Sequence, residues 1–503
     1  MCWRSRLWIG SIAAPASALL LAGGTADRAA ASDDPASASA KRPSDWKAPL
    51  LGRLRNGVRF AILSRRGSEP GVALLMRNEG GFIAEHRPGE RGLAHLIEHI
   101  VFHSPVADAP DDFDHLERLG MPLTLPAPTA GSTSWRETNY YLSTRSAAPK
   151  DLDVLLGLFR DAATNMTLRT DAVDASRGEV VREMAEKKTG NDIYARYIAA
   201  VAPGSPNDVI DAQNSADVPI ASIDTIRALY HRLYQPQNMM IVVVGNIDAG
   251  TVRTLIEKRF GDWKQAVPAS RPTAVPTVRR DHIRPISFSA LPQARRAVLM
   301  TVVMPTPAAP SSRDSQLRAD LMDLLVARAV NSRLQALQPH SAAEKTGMFI
   351  ENGDQGHRQI MVWDRYAGDQ WPSAVAGLKG AMCTLSSDGF TEKEWALAKQ
   401  NLLSDLAHRA AAMPGMPNVD VAKDLSHAVA DGRGLISPDE RLRHARKMLP
   451  AIDVRLGSKW WHRQWGSGVE HLRVEAPELG SVADPISAIR VAAKGSDTLC
   501  TLQ

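Results

Sequence analysis

Between Val267 and Pro285 the chain carries Pro268, Pro272, Pro276 and Pro285. Proline fixes φ and withholds a backbone donor, so neither a helix nor a central strand runs through such a stretch. A chain of 503 residues exceeds one ordinary core, and this stretch is its natural division. Before it, the apolar run Met240 to Val244 reads as a buried strand ended by Gly245, and Phe260 to Trp263 closes that half. After it, Arg296 to Met304 reads as another strand, and Gln316 to Leu337 and Thr391 to Ala412 read as helices. The expected domains are therefore 46–265 and 286–503, joined by a Pro-rich linker at 266–285. No short repeat is present, but both halves share a strand-then-helix layout.

The first residues include Arg4 and Arg6, and an apolar run from Leu7 to Ala22 precedes Ala29-Ala30-Ala31. A basic start, a short apolar run and a small-residue site read as a signal peptide over 1–31, with an uncleaved anchor as the alternative. Pro15 interrupts the run, which is short for a membrane span, so no stable span is expected after cleavage. Residues 32–45 are small and polar and read as a disordered tether. The expected location is periplasmic or secreted. Without the leader only Cys383 and Cys500 remain of the three cysteines, enough for one disulfide or none, and neither has a metal-binding neighbour at close spacing. The net charge of +5 is modest and its basic residues are scattered, so no nucleic-acid surface is expected.

The motif with most chemical content is His95-Leu-Ile-Glu98-His99. A helix turns once in about 3.6 residues, so both imidazoles lie on one side with Glu98 beside them. Two neutral imidazoles so placed can hold one zinc ion, and the adjacent carboxylate can take a proton from a zinc-bound water. The flanking Leu93, Leu96, Ile97 and Ile100 would equally serve an amphipathic helix with a wet polar face. A third ligand is needed. Glu179, Glu183 and Glu186 share one helical stripe, and spacing alone does not choose among them; a solvated face beside Lys187 and Lys188 is the bland reading.

Several blocks, in order, resemble the insulinase/pitrilysin family of inverzincin metallopeptidases, most closely the short branch with the mitochondrial processing peptidases and bacterial relatives. They are Leu54 to Arg59, Arg91 to His99, Ser132 to Tyr141, Val180 to Glu186 and Leu233 to Asp248, with a weaker match at Asn331 to Leu334. The resemblance implies an α+β fold: two related α/β rolls facing each other as a clamshell. It implies one Zn2+ per chain held by His95, His99 and Glu183, with Glu98 as general base. It also makes Gly131, Ser132, Thr133 and Ser134 the strand along which an extended peptide substrate lies, with an ordinary core strand as the alternative.

Departures from the family pattern matter as much. The family carries another glutamate seven positions before the third ligand, where this chain has Ser176. The family's Asn-Ala at the start of the substrate strand is Ala130-Gly131 here, and an insertion around Pro122 to Pro128 lengthens the interval between motifs. After Ser332-Arg333-Leu334 the substrate-gripping Arg/Tyr pair of self-sufficient relatives is missing, and the region near Lys345 and Thr346 offers no tyrosine. A related partner chain is expected to supply it, in a heterodimer ahead of a homodimer. The expected function is a zinc endopeptidase subunit acting on extended peptides. The alternative is a nonproteolytic scaffold or peptide-binding subunit of the same fold. His103 continues the stripe of His95 and His99 at i+8 but falls where relatives end the helix, so it is not expected to touch metal; His357, His408, His427, His444 and His462 are expected to be surface or packing residues, and Trp460 to Trp465 a core or interface patch.

Overall fold

A computed structural model describes residues 46, 48–66, 70–103, 131–134, 136–189, 215–266, 280–292, 296–307, 310, 312–336, 346–353 and 357–494. The expected signal peptide, the tether, the Pro122 to Pro128 insertion, most of the Pro-rich linker, Lys345 and Cys500 lie outside these residues, as do the side chains of His103, Glu186 and His357.

The first sheet contains β1 (Leu50–Arg53), β2 (Arg59–Ser64), β3 (Val72–Asn78), β4 (Gly131–Thr133), β5 (Thr138–Thr144) and β6 (Met239–Gly245), in spatial order β1-β2-β6-β3-β5-β4. The second contains β7 (Ile286–Ser289), β8 (Ala297–Pro305), β9 (Thr346–Gly353), β10 (His357–Arg365) and β11 (Val469–Glu475), in the order β7-β11-β8-β10-β9. The two are one topology used twice. β2 pairs parallel with β6 as β7 does with β11, and every other pairing is antiparallel in both sheets. The chain is the α+β pair of related rolls that the sequence resemblance implies.

Strand β6 is buried along its whole length, as its β-branched Ile-Val-Val-Val run requires of a central strand covered on both faces. One face of the first sheet is covered by α1 (Leu93–His103), α2 (Pro149–Thr164), α3 (Thr170–Thr189), α4 (Ile223–Leu233) and α5 (Ala249–Phe260). Leu93, Leu96, Ile97 and Ile100 of α1 are all fully buried there, so this helix is anchored by its apolar face and presents its polar one. Each such side chain contributes about 1.5–3 kcal/mol through burial.

The second sheet carries α6 (Arg313–Ala336), α7 (Trp371–Asp388), α8 (Glu392–Ala412), α10 (Pro438–Met448), α11 (Val454–Trp465) and α12 (Pro485–Lys494) on one face. Helix α8 starts at a capping box, with Thr391 and Glu394 each bonding the other's backbone N–H. Trp460, Trp461 and Trp465 are buried in this core, with Trp461 and Trp465 stacked at 4.7 Å, so the aromatic cluster is core and not an interface patch.

The remaining helix, α9 (Asn418–Ala430), crosses between the halves. Its Val421, Ala422 and Leu425 pack on Ala61, Leu63, Ala73, Leu75, Met240, Val242 and Val244, the opposite face of the first sheet. Buried Arg65 reaches the same region, donating to the carbonyls of Met416 at 2.8 Å and Met413 at 3.1 Å. Asn418 Nδ2 donates to the Gly71 carbonyl at 3.2 Å. The division at the prolines thus separates the sheets in sequence, while residues 413–430 rejoin the halves in space.

Candidate metal centre

Helix α1 begins at a glycine because its entry demands one. Gly92 has φ +84°, in the left-handed region, and a Cβ there would lie 2.5 Å from Ser215. The Gly92 and Ala94 N–H groups donate to the two carboxyl oxygens of Glu85 at 2.8 and 2.7 Å, which closes the helix start. Burial pushes the Glu85 carboxyl up to about 8, against the pull of those two donors. Behind it, Arg232 grips Glu90 through two nitrogens at 2.6 and 2.8 Å.

One turn into α1, His95 and His99 face α3, and the structure brings Glu183 to them. His95 Nε2 lies 3.2 Å from His99 Nε2; Glu183 Oε2 lies 3.3 Å from the first and 3.5 Å from the second. Ligands about 2.0–2.1 Å from a tetrahedral zinc stand about 3.3 Å from one another, which is the edge length of this triangle. Three lone-pair donors aimed at one point suit a cation, and the donor set of two imidazoles and a carboxylate suits zinc. Among the described residues this is the one group of three or more His, Cys, Asp or Glu side chains spaced to hold a metal ion.

Glu179, one turn before Glu183, takes a different place. Its Oε2 lies 3.1 Å from His99 Nδ1. A carboxylate only accepts, so Nδ1 carries the proton and Nε2 is left to bind an ion. Glu179 is therefore neither part of the triangle nor simply a solvated helix residue. Ser176, where the resemblance implies a carboxylate, is buried and donates to the Ala172 carbonyl at 2.8 Å within its own helix. Without an ion, burial pulls the His99 imidazole down, but Glu183 and Glu179 together outweigh it and raise its affinity for a second proton.

Glu98 is 7% exposed and lies against the edge of the first sheet. The Thr133 hydroxyl donates to its Oε2 at 2.7 Å, and a Cβ on Gly131 would come within 2.5 Å of its Oε1. Burial raises the Glu98 carboxyl above its ordinary range, opposed by His95, the Thr133 hydroxyl and His99. Gly131 and Thr133 thus touch the carboxylate between the ligands, while Ser132 points to the other face and meets the Tyr141 hydroxyl at 2.9 Å. Ser134 closes the β4–β5 turn, its N–H donating to the Glu137 carbonyl at 2.8 Å. Strand β4 is the outermost strand in its sheet.

In the second half, Arg333 is engaged within its own domain through Nε and Nη2. It makes two contacts of 2.7 Å with Glu394 and donates to the Gly389 carbonyl at 2.9 Å. None of the other described histidines joins the metal triangle. Sequence reading missed Glu85 and the orienting role of Glu179; Glu179's position on the Glu183 stripe was its one visible signal.

The described residues thus combine a duplicated α+β roll with an inverted His-x-x-Glu-His helix and a third carboxylate from a neighbouring helix, a donor set that suits zinc. A family model described as insulinase (peptidase family M16) matches residues 79–200, and one described as the peptidase M16 inactive domain matches residues 221–402. The chain belongs to the insulinase family, peptidase family M16. The Escherichia coli (strain K12) protein named probable zinc protease PqqL is 22% identical over 434 residues, covering 84% of this chain and 45% of that protein. This chain therefore spans under half the length of that relative. The solved first half of the periplasmic protease PqqL from Escherichia coli shares the fold with a TM-score of 0.74 at 19% identity, over 91% of this chain and 98% of that one. A protease from Helicobacter pylori does so with a TM-score of 0.64 at 16% identity, over 85% of this chain and 99% of that one.

Proposed function

We propose that this chain is the zinc-bearing subunit of an extracytoplasmic endopeptidase for extended peptides, completed by a related second chain. The observation that carries the reading is the triangle of His95, His99 and Glu183, with edges of 3.2, 3.3 and 3.5 Å. Zinc, when bound there, supplies a Lewis acid that polarises a peptide carbonyl and acidifies water. Glu98 has one oxygen held by Thr133, which leaves Oε1 to take a proton from the attacking water and return it to the departing amine. Burial favours this exchange by raising the carboxyl above its ordinary range. Among the described residues β4 pairs on one side only, with β5, and its other edge would hold the peptide by strand addition, which selects unfolded or short substrates.

The need for a second chain is supported by one observation: Arg333, beside the place where the resemblance puts a substrate-gripping pair, is committed to Glu394. An oxidising location is supported by Cys383, which is disulfide-bonded, and by the relative's description as a periplasmic protease. No described helix is long and apolar enough to cross a membrane.

The test is cleavage of an unstructured peptide library by the full chain, with and without a candidate partner, for wild type and Glu98→Gln. The expected result is bound zinc in both proteins and cleavage reduced on the order of a thousandfold in the variant. Absence of cleavage under every condition would favour the scaffold reading.

A further inference from the structure

The hydroxyl that holds the Glu98 carboxylate is itself in contact with a second one. Thr133 Oγ1, which donates to Glu98 Oε2 at 2.7 Å, lies 3.2 Å from Thr138 Oγ1 on the neighbouring strand. Thr138 is 1% exposed, pairs directly with Thr133 in the β4–β5 register, and stands 3.2 Å from the Gly80 carbonyl. We infer that the Thr133–Thr138 hydroxyl pair is positioning machinery for Glu98, with Thr138 acting through Thr133 and the Gly80 carbonyl fixing the far end. This rests on the reading of Glu98 as the general base.

Threonine pairs across antiparallel strands often serve only as strand packing. Proton counting separates this pair from that case. Each hydroxyl owns one hydrogen. Thr133 spends its hydrogen on Glu98, so its contact with Thr138 must draw on the hydrogen of Thr138, which can also turn to Gly80. While Glu98 holds the proton it has taken on Oε1, Oε2 is its carbonyl oxygen and still accepts the Thr133 hydrogen, and the Thr138 hydrogen can serve either Thr133 or Gly80. Glu98 Oε2 then keeps a partner throughout the cycle. A buried carboxyl without one would swing elsewhere, since leaving it unpaired is costly. Because β4 is also the edge on which a peptide would add, the strand that receives the substrate is the strand that aims the base.

The test uses the full chain with whatever partner cleavage requires. It compares Thr133→Val, Thr133→Ser, Thr138→Val and the Thr133→Val/Thr138→Val double variant by kcat, KM, bound zinc and crystal structure. Thr133→Val should lower kcat about tenfold with KM and zinc content unchanged, and Thr133→Ser should recover to within about twofold of wild type. Thr138→Val should show a smaller loss, and the double variant should be no worse than Thr133→Val alone, as expected of residues acting in series. In crystals of Thr133→Val the Glu98 carboxylate should leave β4. A raised KM at unchanged kcat would make Thr133 a substrate contact and overturn the inference, as would additive losses or an unmoved Glu98. If no protein cleaves while Glu98 still moves in the variant, the peptidase reading fails and the positioning inference stands.

Discussion

The two halves place the same helix pair against the same sheet, and they fill that place with opposite electrostatics. In the first half α1 and α3 point two imidazoles and a carboxylate at one spot, and Glu179 and Glu98 add more negative charge beside it. In the second, α6 and α8 are tied by Arg328 and Asp405 at 2.5 Å and by Arg333 and Glu394, while Arg358 of β10 meets Asp323 of α6 at 2.8 Å. The first carries an excess of carboxylates that a proton on His99 or a bound cation would offset. The second neutralises itself. A roll of this topology thus tolerates either content, and the functional half is recognised by charges that do not cancel.

The largest way to break that comparison is to remove a metal donor. Glu183→Gln should weaken zinc binding on the order of a thousandfold, measured by metal competition, because a neutral amide replaces the anionic ligand. Asp405→Asn in the duplicated place should leave zinc affinity unchanged. If both lowered it alike, the halves would not differ as described.

Next in size is the neutralised pair. Arg358→Met leaves Asp323 without its guanidinium, where burial already raises the Asp323 carboxyl above its usual range. A loss of about 3 kcal/mol in unfolding free energy, by denaturant titration, is expected from removing a buried guanidinium together with its contacts to Asp323 and Asn352. Zinc content should not change. A smaller effect, about 2 kcal/mol, is expected for Leu425→Ala, which opens a cavity where α9 meets the first sheet. Unfolding that remains a single transition would mean that the two halves still unfold together.

These examples also show what the sequence made legible. His95, Glu98 and His99 could be read because their relation is local, set by one helical turn. The fold could be read because the buried strand around Val242 and the helix after Thr391 carry their own periodicity and caps. Glu179, Glu183 and Glu186 could not be separated by spacing, since the choice depends on how α3 is rotated against α1, a tertiary matter. The seating of α9 was hidden for the same reason. Val421, Ala422 and Leu425 read as one face of an ordinary amphipathic helix, and nothing local says that residues 61–75 and 240–244 cover it. Thr133 was visible as part of a strand, but its bond to Glu98 joins segments 35 residues apart.

The smallest and most discriminating change concerns Glu179. If it orients His99 through Nδ1, Glu179→Gln should weaken zinc binding about tenfold while leaving one ion per chain at saturation. The pH dependence supplies a second measure. In the metal-free protein the folded-state affinity of His99 for a proton is raised, so protonation contributes stability that is fully present below about 6.5 and is lost as pH rises through the folded value. Zinc competes with that proton, so its affinity should rise over the same window and its uptake should release a proton. Glu179→Gln removes one of the three carboxylates, with Glu183 and Glu98, that raise His99, so the metal-free protein should lose stability at a lower pH than wild type. Arg333→Met, which frees Glu394 in the other half, should leave that pH window where it is. If Glu179→Gln left both zinc affinity and the pH window unchanged, the carboxylate behind His99 would be a surface residue like those around it, and the electrostatic contrast between the halves would rest on the metal triangle alone.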